Sequence, residues 1–558
     1  MRLDLLVRNA VIVTMDPDRP RASSLGVWRG RVVGLDEELE GLEAERVLDA
    51  GGRAIVPGFV DAHCHTTWWG LGLAAVDLSG VRSMEELYAA LAAEAERLRD
   101  EQRPDERPAW IHATGYNHKH TGGELPDIDR LDEVADGHPV YLRHTSGHRS
   151  FANRAALALA GALDASFPDP EGGEIVRDER GEPTGIVDES AQEVIQALLL
   201  PYSAEDIADA LDRATRRYAA WGITSFAEAG VGGGWIGHSP AELAAYRLAA
   251  GSGRLHARAT LMPVLDALRP ISANAADFAG EGASLGLDLG LASGFGDERV
   301  RIGHVKVFTD GSLLGATAAV TEDFCGHPHN RGYLLGTPEE YRERVLAAYR
   351  AGWSLALHAI GDRAVDLAIE LIAEAQERYG RRDVPNRIEH CGIARPEHLP
   401  RLAELGIAVT PQASFIGPLG SQFMAKLGPE RSPWLYRARS FLDAGVLVAG
   451  SSDLPVADAD VLRAMRSLVD RVTDEGEVFG SREEEVTPEQ ALRMYTVDAA
   501  RACGVEGDRG MLAPGRLADF VVLSHDPLSR DGLIAARVEA TYLGGEATFA
   551  ADESGLEA

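Results

Sequence analysis

His63 and His65 stand two apart at the end of the apolar run Val56-Pro57-Gly58-Phe59-Val60-Asp61-Ala62. If that run is a strand, a period of two turns both imidazoles to one face, where they can chelate a single divalent cation. A bare His-x-His says little. One that follows a Pro-Gly turn and closes a strand says more. Three later apolar runs also end in residues of ligand type: Leu355-Ala356-Leu357 in His358, Asn386-Arg387-Ile388-Glu389 in His390, and Val446 to Ser452 in Asp453. Singly, each reads as a core histidine or a helix-capping aspartate. Four such strand ends together point to the C-terminal edge of a parallel sheet, where a TIM barrel carries its active site.

Lys306 lies inside another apolar run, Val305-Lys306-Val307-Phe308. A free ammonium is costly to bury, and desolvation turns it toward a neutral, nucleophilic amine. Carbon dioxide can convert such an amine to a carbamate able to bridge two metals. An ion pair with Asp310 or another acid is the competing reading.

These residues need a scaffold that aligns strand ends. Helical patterns over residues 84–99, 204–221, 338–351 and 363–379 alternate with short apolar strands at 222–227, 354–357 and 446–449. That alternation indicates parallel βα units. Both chain ends read instead as short strands with Gly-rich turns, including a hairpin around Arg29-Gly30. The fold expected is α/β: a TIM (β/α)8 barrel over residues 58–504, with a β-sandwich module built from residues 1–57 and 505–558. A stretch rich in Gly, Pro, His and Asp, about residues 68–184, breaks the rhythm and reads as an inserted subdomain suited to substrate recognition.

The formal charge of −32 excludes a polyanionic partner such as nucleic acid. Four scattered cysteines (Cys64, Cys325, Cys391, Cys503) form no CxxC pair, which argues against a disulfide framework and for a reducing compartment. Charges interrupt the N-terminus before a signal-peptide core could form, and no apolar run approaches the ~20 residues that span a bilayer. The expected location is the cytoplasm, with a small-molecule substrate and no membrane partner. A homodimer is allowed, though no segment declares an interface.

The His-x-His pair, the strand lysine, the two later histidines and the final aspartate resemble the amidohydrolase superfamily, and more closely its YtcJ-like branch, which includes N-substituted formamide deformylases. The resemblance covers nearly the whole chain. It runs through Pro57 to Asp61, Arg143-His144-Thr145-Ser146-Gly147-His148 with Asn153, Gly172 to Arg177, Gly181 to Gly185, Lys306 to Gly311, Gly450 to Val456, Thr487 to Leu492 and Gly515 to Phe520. It implies metal ligation by His63, His65, Lys306 as a carbamate, His358, His390 and Asp453. The expected cofactor is one or two divalent ions, with zinc foremost, and His358 and His390 on the more exposed of two.

His148 matches a family histidine near the substrate. The chain departs from the family at Gly115-Tyr116-Asn117 and at Ser146-Gly147-His148, where Gly-Trp-acid and Asp-Gly-His are common. The reaction implied is hydrolysis of an amide or formamide C–N bond by metal-activated water. Asp453 would shuttle the proton, and His358 and His148 would assist. Trp68, Trp69, Tyr116, His144 and Phe415 are candidate substrate contacts, with His118 and His120 beside them. Cyclic amidase, deaminase or isomerase chemistry on the same site is the alternative. A non-catalytic scaffold would be expected to have lost ligands, and none of the six is missing.

Overall fold

The computed structural model describes residues 2–101, 109–144, 149–164, 166–170, 173–189, 191–233 and 236–551. They form two compact units of mixed α/β structure: residues 1–67 with 211–558, and residues 68–210.

In the larger unit two parallel sheets carry the candidate ligands. One runs Val300–Ile302, Arg258–Pro263, Ile223–Val231, Phe59–Cys64. The other runs Val305–Phe308, Leu355–Ala359, Arg387–His390, Ala408–Thr410. A parallel bridge from Val264 to Lys306 joins them on one side. On the other, residues 446–451 bridge Val409 to Val448 and Gln412 to Ser451, and Gly450 O accepts from Ala62 N. The hydrogen bonds thus return to the strand on which they began.

Helices follow the strands as their periodicity requires. Thr337, with Pro338 after it and Glu340 at the third helical position, forms a capping box that starts Pro338–Arg350. Asp362–Tyr379 buries a stripe of Val365, Ala368, Leu371, Ile372 and Ala375 against the strands.

Small side chains fill the space between the strands: Ala62, Ala227, Ala356, Ala408 and Ala449 are all buried in one cluster. The room they leave is taken by Arg387, which is fully buried and donates to Ala62 O at 3.1 Å and to Met262 Sδ at 3.2 Å.

Segments from the two chain ends meet in a six-stranded sheet, ordered Glu546–Ala550, Val538–Leu543, Phe520–Leu523, Ala54–Pro57, Val11–Val13, Arg21–Ala22. A four-stranded sheet, Arg31–Leu35, Leu25–Trp28, Arg2–Arg8, Glu43–Asp49, shares its core: Val7, Val27, Ile55, Phe520 and Tyr542 pack in one cluster. The Arg29-Gly30 hairpin forms, with both residues at positive φ (50° and 74°), as a two-residue I′ turn demands.

The smaller unit is a six-stranded mixed sheet, Gly173–Arg177, Pro183–Glu189, Arg149–Ala152, Val140–His144, Ile111–Tyr116, Val76–Asp77. Helices Met84–Glu101 and Ile128–Ala135 pack on it. This unit runs on to Ala210, past the expected boundary near 184. The reason is packing: Val187, Ala191 and Ile195 are buried in the same cluster as Tyr141, Ala152 and Leu157. No helix among the described residues is long and apolar enough to cross a membrane.

Candidate metal centre

The strand Phe59–Cys64 delivers His63 and His65, and the segment after 451 delivers Asp453. Two backbone bonds fix these segments to each other: Asp453 N donates to His63 O and His65 N to Leu454 O, each at 2.8 Å. Buried Asp61 adds a side-chain tie, accepting from His63 N and Ser452 N at 3.1 Å and from Ser452 Oγ at 2.5 Å. Burial pushes its carboxyl up to about 6.

Asp453 Oδ1 lies 3.3 Å from His63 Nε2 and 3.2 Å from His65 Nε2. His63, His390 and Asp453 each offer a donor atom within 4.8 Å of the others. The ring centroid of His390 is 4.9 Å from that of His63 and 4.5 Å from that of His358. Lys306 Nζ is 3.4 Å from His63 Nε2 and 4.8 Å from the centroid of the Phe308 ring. All six residues expected as ligands therefore gather at one place, five at the C-terminal ends of parallel strands and Lys306 within the strand Val305–Phe308.

Each of three rings is held from behind. His63 Nδ1–H donates to Glu389 Oε2 at 2.5 Å. His390 Nδ1–H donates to Gln412 Oε1 at 2.6 Å, and Gln412 Nε2 in turn donates to Thr410 O and Ser451 Oγ. His358 Nε2–H donates to Gly311 O at 3.2 Å. Fixing one nitrogen as the donor leaves the other, His63 Nε2, His390 Nε2 and His358 Nδ1, with its lone pair available.

Desolvation keeps the His65, His358 and His390 imidazoles neutral. It lowers His65 to about 4 and His390 to about 3, and holds His358 well below the usual histidine range. Burial works against the Asp453 carboxylate, but its interactions with His63 and His65 hold it well below the carboxylate range. Burial lowers the Lys306 ammonium to about 8. Neutral imidazoles and an ionised carboxylate converging on one point are the donor set a divalent cation of zinc type takes. The residues present fit a metal.

Two of the candidate ligands, His390 (φ 67°) and Asp453 (φ 58°), adopt the left-handed backbone conformation, as does Cys391 (φ 46°). Non-glycine residues rarely adopt it, and it concentrates at functional sites. It also breaks strand alternation, so Glu389 and His390, adjacent in sequence, both serve this centre.

The sequence reading passed over Glu389, Arg387 and Gln412. Arg387 and Glu389 form a fully buried ion pair, with Nη2 2.9 Å from Oε2 and Nε 2.9 Å from Oε1. The available signal was two opposite charges at i and i+2 in an otherwise apolar strand, a spacing that puts both on one face. Asp310, buried and pushed up to about 7 by desolvation, accepts from Ala319, Ile360 and Gly361 N and pins the loops beside His358.

Phe415 is buried in an aromatic cluster with Phe423 and Tyr436. Trp68, Trp69, Tyr116 and His144 belong to the smaller unit. There Tyr116 is buried against Phe151, its hydroxyl donating to Glu124 O, and His144 Nε2 is 2.9 Å from His118 Nδ1. His148 lies outside the described residues.

The chain is similar to several known proteins along nearly its full length. The chain is 32% identical to Protein LONG AFTER FAR-RED 3 of Arabidopsis thaliana over 98% of this chain and 91% of that one. It is 29% identical to the putative amidohydrolase YtcJ of Bacillus subtilis (96% and 98%) and 30% identical to the N-substituted formamide deformylase of Arthrobacter pascens (94% and 94%). A solved structure of an uncharacterized metal-dependent hydrolase from Pyrococcus furiosus matches with a TM-score of 0.73 at 26% identity, over 94% of this chain and 100% of that one. The model of the Amidohydrolase family matches residues 46–549, a span that takes in every residue of the centre described above, and the chain belongs to that family.

Proposed function

We propose that this protein is a metal-dependent hydrolase of a small-molecule amide or formamide C–N bond. The observation that carries the reading is the set of back-bonded histidines gathered around the Asp453 carboxylate, with His63 Nε2 3.3 Å from its Oδ1 and a donor atom of His390 within 4.8 Å. The formamide class is supported by the relative of that name, 30% identical along nearly the full length of both chains. The plant relative's name specifies no chemistry. Retention of all six ligand-type residues favours an enzyme over a scaffold. The closed circuit of parallel strands supports a (β/α)8 barrel, and the two sheets formed by the chain ends support a composite sandwich beside it.

His63, His65, His358, His390 and Asp453 would hold the cation, zinc being the ion this donor set suits. Lys306, dry and 3.4 Å from His63, would join them as a carbamate. When bound, the cation supplies Lewis acidity toward the substrate carbonyl and lowers the pKa of water. Asp453 accepts the proton of the attacking water at its carboxylate and delivers it to the departing nitrogen, so the amine leaves neutral. Glu389 and Gln412 keep His63 and His390 in the tautomer that faces the site. Four free cysteines fit a cytoplasmic location.

The test is amine release from a panel of N-formyl and N-acyl amines by zinc-loaded protein, beside Asp453→Asn. Turnover is expected from the parent and a loss of at least a hundredfold from the variant. Full turnover by Asp453→Asn sinks the assigned role. Silence across the panel with metal bound moves the substrate to cyclic amides or deamination.

A further inference from the structure

The strands that end near His390, Gln412 and Asp453 begin on a separate cavity of about 430 Å3, walled in part by Asn386, Ile407 and Val446. Arg381, Arg382, Arg493 and Arg501 line it against two carboxylates, Asp383 and Asp498. Arg493 is spent on Asp498 at 3.1 Å. Among the described residues, Arg381, Arg382 and Arg501 have no carboxylate within 4.0 Å. In a chain of net charge −32, an excess of two guanidiniums over carboxylates around one cavity runs against the surrounding surface.

Part of this charge has a structural use. Arg381 Nη2 donates to Glu404 O at 2.5 Å, and Arg382 Nη2 donates to Tyr349 O, each at the C-terminal turn of a helix. Helix capping does not exhaust them. A guanidinium has five N–H donors, and its full charge exceeds the roughly half-charge of a helix end. The remaining wall is apolar, with Leu402, Leu405, Leu442 and Leu447.

We propose that this cavity binds a small phosphate monoester carrying an apolar or aromatic body. Guanidinium forks match phosphate oxygens, and the lining holds two more positive than negative charges, the complement of a dianion. The apolar wall takes the body, and the volume suits a molecule of one or two rings. The site lies at the strand ends opposite the metal centre, so it is distinct from substrate binding there.

The test is calorimetric titration of full-length, metal-loaded protein with phenyl phosphate. Arg501→Gln and Arg382→Gln test the cavity, and Asp453→Asn tests the metal centre. Arg501 is exposed and makes no hydrogen bond among the described residues, so the fold tolerates its replacement. The expected result is saturable binding to the parent, weakened tenfold or more by each arginine substitution and by high salt, and unchanged in Asp453→Asn. No binding by the parent, or binding unaffected in both arginine variants, overturns the proposal. Binding lost in Asp453→Asn also overturns it, by placing the anion at the metal centre. Benzoate binding as tightly as phenyl phosphate overturns the phosphate assignment, and inorganic phosphate doing so overturns the role of the apolar wall.

Discussion

His63 and Glu389 share a 2.5 Å hydrogen bond in which neither side chain meets water. Behind Glu389 stands Arg387, equally buried, so one carboxylate serves a histidine on one side and a guanidinium on the other. Glu389→Gln leaves Arg387 an uncompensated buried charge and takes the negative partner from His63. Loss of about 3–5 kcal/mol of stability is expected, by the cost of breaking a buried pair. Zinc affinity falls roughly 10–100-fold. Thermal melts and chelator competition read the two effects. A variant as stable and as metal-avid as the parent would show that the triad is idle.

Gln412 reaches His390 without any charge, so its removal separates orientation from electrostatics. Gln412→Leu keeps the volume but cannot accept from Nδ1–H, while Ser451 Oγ and Thr410 O keep their hydrogen bond to each other. Metal affinity is expected to drop by about tenfold or more, and restoring an acceptor with Gln412→Glu recovers most of it. Equal affinity for Gln412→Leu and parent would remove Gln412 from the site.

Gly361 opens the loop after His358, and a Cβ there would stand 2.0 Å from Ala319 O. That oxygen belongs to the segment Asp310 holds through Ala319 N. Gly361→Ala must push the two loops apart, which costs about 1–3 kcal/mol as overpacking does. Denaturant unfolding measures it, and a change under 0.5 kcal/mol would mean the loops move freely.

Glu228, paired with Cys64 between His63 and His65, supplies a pH signature of its own. Its carboxylate accepts from Thr66 and Thr67 N, yet complete burial raises it from 4.5 to about 7. An acid raised on folding favours the folded state while protonated. Its contribution is full below 4.5 and is lost as pH rises through 7. The amount is about 3 kcal/mol at 1.36 kcal/mol per pKa unit. Glu228→Gln should flatten this slope, so the parent loses ground to the variant as pH climbs from 4.5 to 7. Parallel melting curves across that window would rule the effect out.

What the sequence made readable was whatever obeyed a period. Two histidines two apart on a strand, and ligand types at the ends of apolar runs, appear in the structure at neighbouring strand ends. Glu389 was hidden because the positive φ at His390 turns adjacent residues toward one centre, and no periodic template anticipates that. Gln412 was hidden because a neutral amide in a turn carries no signal until its partner is known. The smaller unit runs to Ala210 because helical residues near Ile195 complete its core, a tertiary fact that the Gly and Pro content of the segment does not encode.

The pairing of residues 63–65 with 453–454 also sets a schedule. A chain made from its N-terminus presents His63 and His65 long before Asp453 exists. At roughly 5–20 residues per second the wait is on the order of 20–80 seconds. Through that interval the two histidines are a weak chelate open to any cation, and the contacts that would complete them are distant in sequence and slow to form. Choice of metal therefore belongs to the finished molecule after release from the ribosome.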